Sequence, residues 1–128
     1  MRVAVLSGRI YRDWRLVWDE LNAIHAKTPI TCIIEGGGPG ADRSAAQWAL
    51  QHKVLLETYS PDWKGDYRGG DHRNERLIRI SEPELVLAFR DHGQIGKVML
   101  DDLVWRARNA KIPVREPVRK EVEEPAKV

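Results

Sequence analysis

The sequence contains little cysteine and no long apolar segment. Cys32 is the one cysteine among 128 residues, so no disulfide framework can form within the chain, and its place in the apolar run 30–34 predicts a small buried side chain. No apolar run reaches about 18 residues, the length that a membrane-spanning helix needs. The apolar part of Met1–Ile10 is too short for a signal-peptide core, and no small-residue cleavage site follows it. We expect a cytoplasmic protein without disulfides and without membrane insertion.

The chain also has little net charge and only one phenylalanine. The 21 Lys and Arg residues against 19 Asp and Glu leave a formal charge of +2. So small a charge neither requires nor excludes a nucleic-acid partner, because such binding depends on basic residues clustered on one face. Tryptophan is frequent, with five residues. Since Trp is enriched at interfaces, we expect some of these side chains to be partly exposed, at a pocket or a subunit contact.

Short apolar runs alternate with segments of helical periodicity along the chain. The β-branched run Ile30–Ile34 is typical of a strand covered on both faces, and Asp13 is a suitable N-cap for the first helix. The pattern predicts an α/β fold, a doubly wound, mostly parallel sheet of about five strands with helices on both faces. We expect one domain over 1–114 and a disordered charged tail over 115–128. The predicted strands are 3–6, 30–34, 54–59, 85–89 and 112–114, and the predicted helices are 14–24, 41–51, 71–80 and 97–109.

The glycine-rich segment Glu35–Arg43 follows the second predicted strand and precedes a helix. Ligands of doubly wound sheets bind beyond the carboxyl ends of the strands, and the four glycines of Gly36–Gly40 let the backbone turn tightly and approach a ligand. A helix that begins near Ala41 directs free N–H groups and its positive dipole end at an anion. Asp42 is suited to cap that helix or to bond a ribose or base. The segment predicts a phosphate site; the alternative is a tight turn without a ligand.

The same glycines also fit a dinucleotide-binding fingerprint. Gly36, Gly38 and Ala41 have its spacing, and Glu57 follows at a suitable separation for the acidic residue that bonds the ribose. The motif follows the second strand rather than the first, however, and the chain has no room for the usual catalytic domain. A dehydrogenase is therefore the weaker interpretation.

Three further segments carry polar or aromatic side chains near predicted strand ends. The segment 7–9 ends the first strand with a hydroxyl and a guanidinium that suit a phosphate. Arg73 is suited to bidentate contact with phosphate or carboxylate, and Asn74 to a base or sugar edge. Trp63 and Tyr67 can stack on a base; solvated faces and rings packed against the loop are the alternatives. The loop His and Asp residues lack the spacing of a known metal site, and we expect no metal at His72, His92, Asp66, Asp71 and Asp91.

Taken together, these segments resemble the SLOG superfamily, which is named for the DNA-processing Smf/DprA proteins and the LOG (Lonely Guy) phosphoribohydrolases, and within it the small YspA-like branch. In order and spacing the resemblance covers nearly all of residues 2–114. It implies a Rossmann-like fold, a nucleotide or nucleotide-derived ligand at the strand ends with no further cofactor required, and a homo-oligomer. The sequences that carry it are SGR (7–9), GGGPGADRSAAQWA (36–49), YSPDW (59–63), HRNERL (72–77), ELVLAF (84–89) and IPV (112–114).

One segment departs from the pattern of these relatives. They usually carry a Gly-Gly-x-Gly-Thr loop after the fourth strand, whereas Arg90–Lys97 is longer and lacks the threonine, and the glutamate that LOG enzymes place after this loop is absent. Lys97 is suited to replace that loop as a point-charge phosphate ligand. The candidate ligand-binding residues, from the motifs and the resemblance together, are Ser7, Gly8, Arg9, Gly36, Gly37, Gly38, Gly40, Ala41, Asp42, Trp63, Arg73, Asn74 and Lys97.

Three functions follow in order of preference. The first is binding of a phosphate-bearing nucleotide, for sensing, sequestration or processing. The second is N-glycosidic hydrolysis of nucleoside monophosphates, as in LOG enzymes, with Asp42 or Glu35 as the carboxylate beside the ribose. The third is a DNA-associated module, for which the evidence is a row of arginines on one predicted helix, Arg73, Arg76 and Arg79.

Overall fold

A computed structural model describes residues 1–62, 69–91 and 96–119. Five strands and four α-helices alternate along this part of the chain, and a π-helical turn of five residues, Leu77–Ser81, continues directly from the third helix. The strands are β1 (Arg2–Ser7), β2 (Cys32–Glu35), β3 (Leu55–Thr58), β4 (Leu85–Phe89) and β5 (Val114–Arg115), and the helices are α1 (Trp14–Lys27), α2 (Ala41–His52), α3 (Gly69–Arg76) and α4 (Lys97–Asn109).

The strands form one parallel sheet in the order β3–β2–β1–β4–β5, which confirms the predicted α/β fold. The chain builds outward from β1 through β2 to β3 and then crosses to β4 on the other side of β1. The strand order therefore reverses between β1 and β4, and a crevice is expected beyond the carboxyl ends there. Ser7 is opposite Phe89, and Glu35 is opposite Thr58, so these four strand ends point toward the same side of the molecule.

Helices cover both faces of the sheet. Because side chains alternate along a strand, Val3 and Val5 face one layer of helices, whereas Ala4 and Leu6 face the other. The first layer is α1 and α2, and the second is the π-helical turn and α4. The buried helical side chains of the first layer are Val17, Leu21, Ile24, Ala41, Ala45, Trp48 and Ala49, and those of the second are Leu77, Leu100, Leu103, Val104 and Ala107.

The third helix differs most from its prediction. It begins at Gly69 rather than Asp71 and gives way to the π-helical turn before Ile80. The start of the helix was predicted two residues late because glycine usually favours loops. In the structure, a Cβ on Gly69 would lie 2.7 Å from the carbonyl oxygen of Asp62, so glycine is required for this close approach. The turn is followed by Glu82, which has a positive φ of 46°. The fourth helix spans the predicted residues.

Two of the described tryptophans are exposed, and one is fully buried. Trp14 and Trp105 are 51% and 63% exposed, whereas Trp48 is fully buried and donates its indole N–H to Asn22 Oδ1 at 2.8 Å. The prediction of partly exposed tryptophans is thus confirmed for two of them. Trp63 lies outside the described residues.

The end of the described chain contacts the domain. β5 includes Arg115, one residue beyond the boundary predicted at 114. Arg119 then donates two hydrogen bonds to the Asp13 carboxylate, at 2.7 and 2.9 Å. Residues 120–128 of the predicted tail lie outside the described residues. In the described part of the chain, no helix is long and apolar enough to cross a membrane.

Candidate functional site

A cavity of about 200 Å³ lies beyond the carboxyl ends of β1, β2 and β3. The last residue of β1 and the loops after these three strands form most of its described wall, and α2, α3 and α4 contribute one residue each. Parallel sheets bind their ligands at this end. The residues that line it are Ser7, Arg9, Gly36, Gly37, Gly38, Pro39, Asp42, Ser60, Pro61, Arg73 and Met99.

Most glycines of the loop after β2 lie too close to neighbouring atoms to carry a side chain. A Cβ on Gly36 would meet Asp42 Oδ2 at 2.8 Å, and one on Gly40 would lie 2.5 Å from the carbonyl oxygen of Gly8. Gly37 has a positive φ of 78°, which favours glycine. Gly38 is different, because a Cβ there would make only ordinary contacts of 3.5 Å or more, with the Asp42 side chain. Gly38 is therefore the glycine of this loop at which a side chain fits.

Asp42 joins the loops after β1 and β2. Its side chain is almost fully buried; Oδ1 accepts from the Ser7 amide at 3.1 Å, and Oδ2 accepts from the Gly36 amide at 2.9 Å. Burial raises the pKa of Asp42 above its ordinary value, while the nearby Arg73 charge and these amides act in the opposite direction. The carboxylate fixes the shape of the cavity wall.

Ser7 supplies the second link between these loops. Its hydroxyl oxygen accepts from the Ala41 amide at 2.7 Å, and the hydroxyl donates to the Gly8 carbonyl at 2.8 Å. Ala41 is the first residue of α2, whose own N-cap residue, Gly40, provides no side-chain hydrogen bond. Ser7, the last residue of β1, thus caps the N-terminus of α2.

We expect Ser7→Ala to lower the free energy of unfolding by about 1 kcal/mol, because the Ala41 amide loses its acceptor. Urea unfolding measures this change. Ser60→Ala is the matched control, because Ser60 is exposed, and we expect it to stay within about 0.5 kcal/mol of the wild type. Equal unfolding midpoints for both variants would contradict the capping role.

Arg73 is a buried cation in the cavity wall, with 6% of its surface exposed. Nη1 donates to the carbonyl oxygens of Gly36 at 3.1 Å and Tyr59 at 3.4 Å, and Nε donates to Asn74 Oδ1 at 2.9 Å. Burial lowers the pKa of Arg73, and the nearby Asp42 and Glu35 carboxylates counteract this effect. The guanidinium thus holds together the ends of the loops after β2 and β3.

Asn74, Glu35 and Lys97 lie outside the cavity wall. Asn74 is fully buried, and its amide nitrogen donates to the Met99 carbonyl at 2.9 Å, so it links α3 to α4 behind Arg73. Glu35 Oε1 accepts from the Gly37 amide at 2.8 Å, and burial raises the pKa of its carboxyl. Lys97 is exposed and pairs with Asp101 at 2.7 Å.

Seven of the predicted residues therefore line the cavity, whereas others lie behind its wall. Gly8, Gly40 and Ala41 form the junction between the β1 and β2 loops, behind the wall. Sequence reasoning did not single out Pro39, Ser60, Pro61 and Met99 as site residues. The first three lie in the glycine-rich and YSPDW segments, whereas nothing in the sequence marks Met99. Trp63 lies outside the described residues, as do Tyr67, Asp66 and His92. The predicted residues that line the cavity are Ser7, Arg9, Gly36, Gly37, Gly38, Asp42 and Arg73.

Two other sequence alternatives can be compared with the geometry. Glu57, the acidic residue of the dinucleotide interpretation, is on the edge strand β3, where it pairs with Arg2 and accepts from Cys32 Sγ at 3.2 Å. It does not line the cavity. Within residues 1–62, 69–91 and 96–119, no three His, Cys, Asp or Glu side chains are grouped as a metal site.

Comparison with known proteins agrees with this architecture. A profile described as YAcAr, the YspA, cpYpsA-related SLOG family, matches residues 1–65. The chain belongs to this family. The matched segment contains β1, β2 and β3 and the loops that form most of the cavity wall. The SLOG chain is also 28% identical over 120 residues to the Gene 61 protein of Mycobacterium phage D29, an alignment that covers 88% of this chain and 93% of the phage protein.

Proposed function

We propose that this SLOG protein binds a phosphate-bearing nucleoside in the cavity beyond β1, β2 and β3. The observation that carries the proposal is the composition of the wall, in which the Arg9 side chain and the glycine backbone of the β2 loop face one space. Glycine backbone admits a ligand closely, and a guanidinium pairs with phosphate. Membership of the SLOG family supports a nucleotide-related ligand.

The rest of the wall suits the remainder of such a ligand. Pro39, Pro61 and Met99 offer apolar surface, which can pack against a sugar or a base. The dipole of α2 adds positive potential at the end of the helix that faces the β2 loop. At about 200 Å³, the cavity lies below the range of about 300–1,000 Å³ that is usual for small-molecule sites. A ligand of the size of a mononucleotide is therefore favoured over a dinucleotide.

Thermal unfolding in the presence of AMP, GMP, CMP or UMP tests this proposal. A ligand present at about 100 times its dissociation constant is expected to stabilise the protein by about 2.7 kcal/mol. Gly38→Val should fold and lose that shift, because Gly38 lines the cavity and a Cβ there would meet nothing nearer than the Asp42 carboxyl group, at 3.5 Å. Ala26→Val, on the exposed face of α1, is the control and should keep the shift. A shift that survives in Gly38→Val would place the ligand elsewhere.

Hydrolysis of the N-glycosidic bond is the second candidate, because the carboxylate of Asp42 lies in the described part of the cavity wall. Both of its oxygens already accept backbone N–H groups, and the other predicted carboxylate, Glu35, is not part of the wall. These contacts favour binding over catalysis. Release of free base from nucleoside monophosphates, followed by chromatography, distinguishes the two, since a binder returns the nucleotide unchanged.

The arginines that suggested a DNA-associated module are occupied by other contacts. Arg73 is buried, Arg76 donates to the Ser60 carbonyl at 3.1 Å, and Arg79 pairs with Glu75 at 2.6 Å. An unpaired basic face is what nonspecific DNA binding requires. We therefore do not propose DNA as the partner.

A further inference from the structure

We infer that the two arginines of the cavity have different functions: Arg9 contacts the phosphate, whereas Arg73 is a positioning residue that holds the cavity in shape. This inference rests on the proposed nucleotide-binding function and assigns roles within that site. It differs from what sequence reasoning predicts for Arg73, namely bidentate contact with a phosphate. The hydrogen bonds of each guanidinium decide between the roles.

The donors of Arg73 are almost all used within the protein. A guanidinium has five N–H groups, and four hydrogen bonds from Arg73 reach Asn74 Oδ1, the Gly36 and Tyr59 carbonyls, and Met99 Sδ. Bidentate recognition of phosphate needs two parallel N–H groups, and Arg73 has only one to spare. Apart from its neighbour Asn74, the acceptors lie on the loops after β2 and β3 and on α4, so the side chain joins α3 to three other parts of the site.

Arg73 also has its charge compensated inside the protein. The Asp42 and Glu35 carboxylates act on it electrostatically, and a Cβ on Gly36 would collide with its Nη1 atom and with Asp42. Moving the guanidinium toward a ligand would therefore break several buried hydrogen bonds at once, which is costly. Arg73 is fixed in the wall rather than available to the ligand.

Arg9 has the opposite properties. It is exposed and lines the same cavity, and the described part of the chain offers it no hydrogen-bond or ion-pair partner. All five of its N–H groups remain for an anion, in the geometry that suits a bidentate phosphate contact. Its loop is held near the β2 loop by the bond from Ala41 to Ser7. The phosphate therefore binds at the exposed side of the cavity, beside the loop after β1.

Matched binding measurements test the two roles. Calorimetry with AMP, GMP, CMP and UMP, and with the corresponding nucleosides, gives the contribution of the phosphate as the ratio of the two dissociation constants. In Arg9→Gln we expect affinity for the bound monophosphate to fall about 10- to 100-fold and affinity for its nucleoside to stay unchanged. Arg12→Gln, which removes the same charge from an exposed position in the same loop, is the control and should keep both affinities within about threefold.

Arg73→Lys should give a different result. We expect the unfolding temperature of the free protein to fall by roughly 5–10 °C, because lysine cannot bond all of these acceptors at once. Well below that temperature, monophosphate and nucleoside should both bind more weakly, by the same factor, because the cavity wall is displaced. A purely structural role would lower the unfolding temperature and leave both affinities intact.

The outcomes separate this inference from the function on which it rests. Wild-type protein that binds none of the monophosphates or nucleosides would overturn both. Binding by the wild type with an unchanged monophosphate-to-nucleoside ratio in Arg9→Gln would overturn the inference alone, as would a selective loss of monophosphate binding in Arg73→Lys. A selective loss in Arg9→Gln together with a uniform loss in Arg73→Lys would support it.

Discussion

Asp42→Ala is expected to lower the free energy of unfolding by about 3 kcal/mol, because the buried Ser7 and Gly36 amides lose their acceptor. Urea unfolding monitored by circular dichroism measures the loss. We also expect the proposed nucleotide binding to be lost, because the loops after β1 and β2 then keep only the link between Ser7 and Ala41.

Asp19→Ala is the matched control for this variant. Asp19 is exposed on α1, so its removal should change the free energy of unfolding by about 0.5 kcal/mol or less. A loss in Asp42→Ala no larger than that in Asp19→Ala would show that the buried carboxylate does not hold the site together.

The dependence of this effect on pH follows from the pKa of Asp42. Burial raises that pKa above its ordinary value of 3.8, so the folded protein keeps a proton that the unfolded chain has already released. The contribution of Asp42 to stability is therefore complete below pH 3.8 and declines as the pH rises through the raised pKa. The difference in stability between wild type and Asp42→Ala should be larger at pH 4 than at pH 7, and unfolding at both values measures it.

The fold was predictable because its determinants are local. The apolar run 30–34, the helical periodicity around Val17 and Leu21, and the break after the second strand each favour a single element type. Their alternation predicts a parallel sheet with helices on both faces, as observed. The start of the third helix was predicted two residues late for the opposite reason, since the close approach of Gly69 to Asp62 is not revealed by any local pattern.

The candidate site was predictable in position but less so in the function of each residue. The strand ends and glycines place the loop correctly, because backbone geometry selects glycine. Which side chains are free to meet a ligand depends on long-range partners. Arg73 and Asn74 resemble polar ligand contacts in sequence, but their hydrogen bonds to Gly36, Tyr59 and Met99 are visible only in three dimensions.

Gly40→Ala is expected to lower the free energy of unfolding by about 3 kcal/mol, because its Cβ would lie 2.5 Å from the Gly8 carbonyl oxygen and closer still to Ser7 Oγ. Overpacking typically costs about 1–3 kcal/mol, and here the close atoms include backbone that cannot rotate away. Gly38→Ala is the matched substitution, because its Cβ would approach nothing nearer than Asp42 Cγ at 3.5 Å. That variant should stay within about 1 kcal/mol of the wild type.

The double variant Ser7→Ala with Gly40→Ala shows which contact dominates. Removing the Ser7 hydroxyl relieves one collision but leaves the one with the Gly8 carbonyl, so the double variant should regain only part of the loss in a double-mutant cycle of urea unfolding. Full recovery would mean that the serine alone excludes a side chain at position 40. Equal stability of Gly38→Ala and Gly40→Ala would mean that the loops after β1 and β2 are not packed as closely as the structure shows.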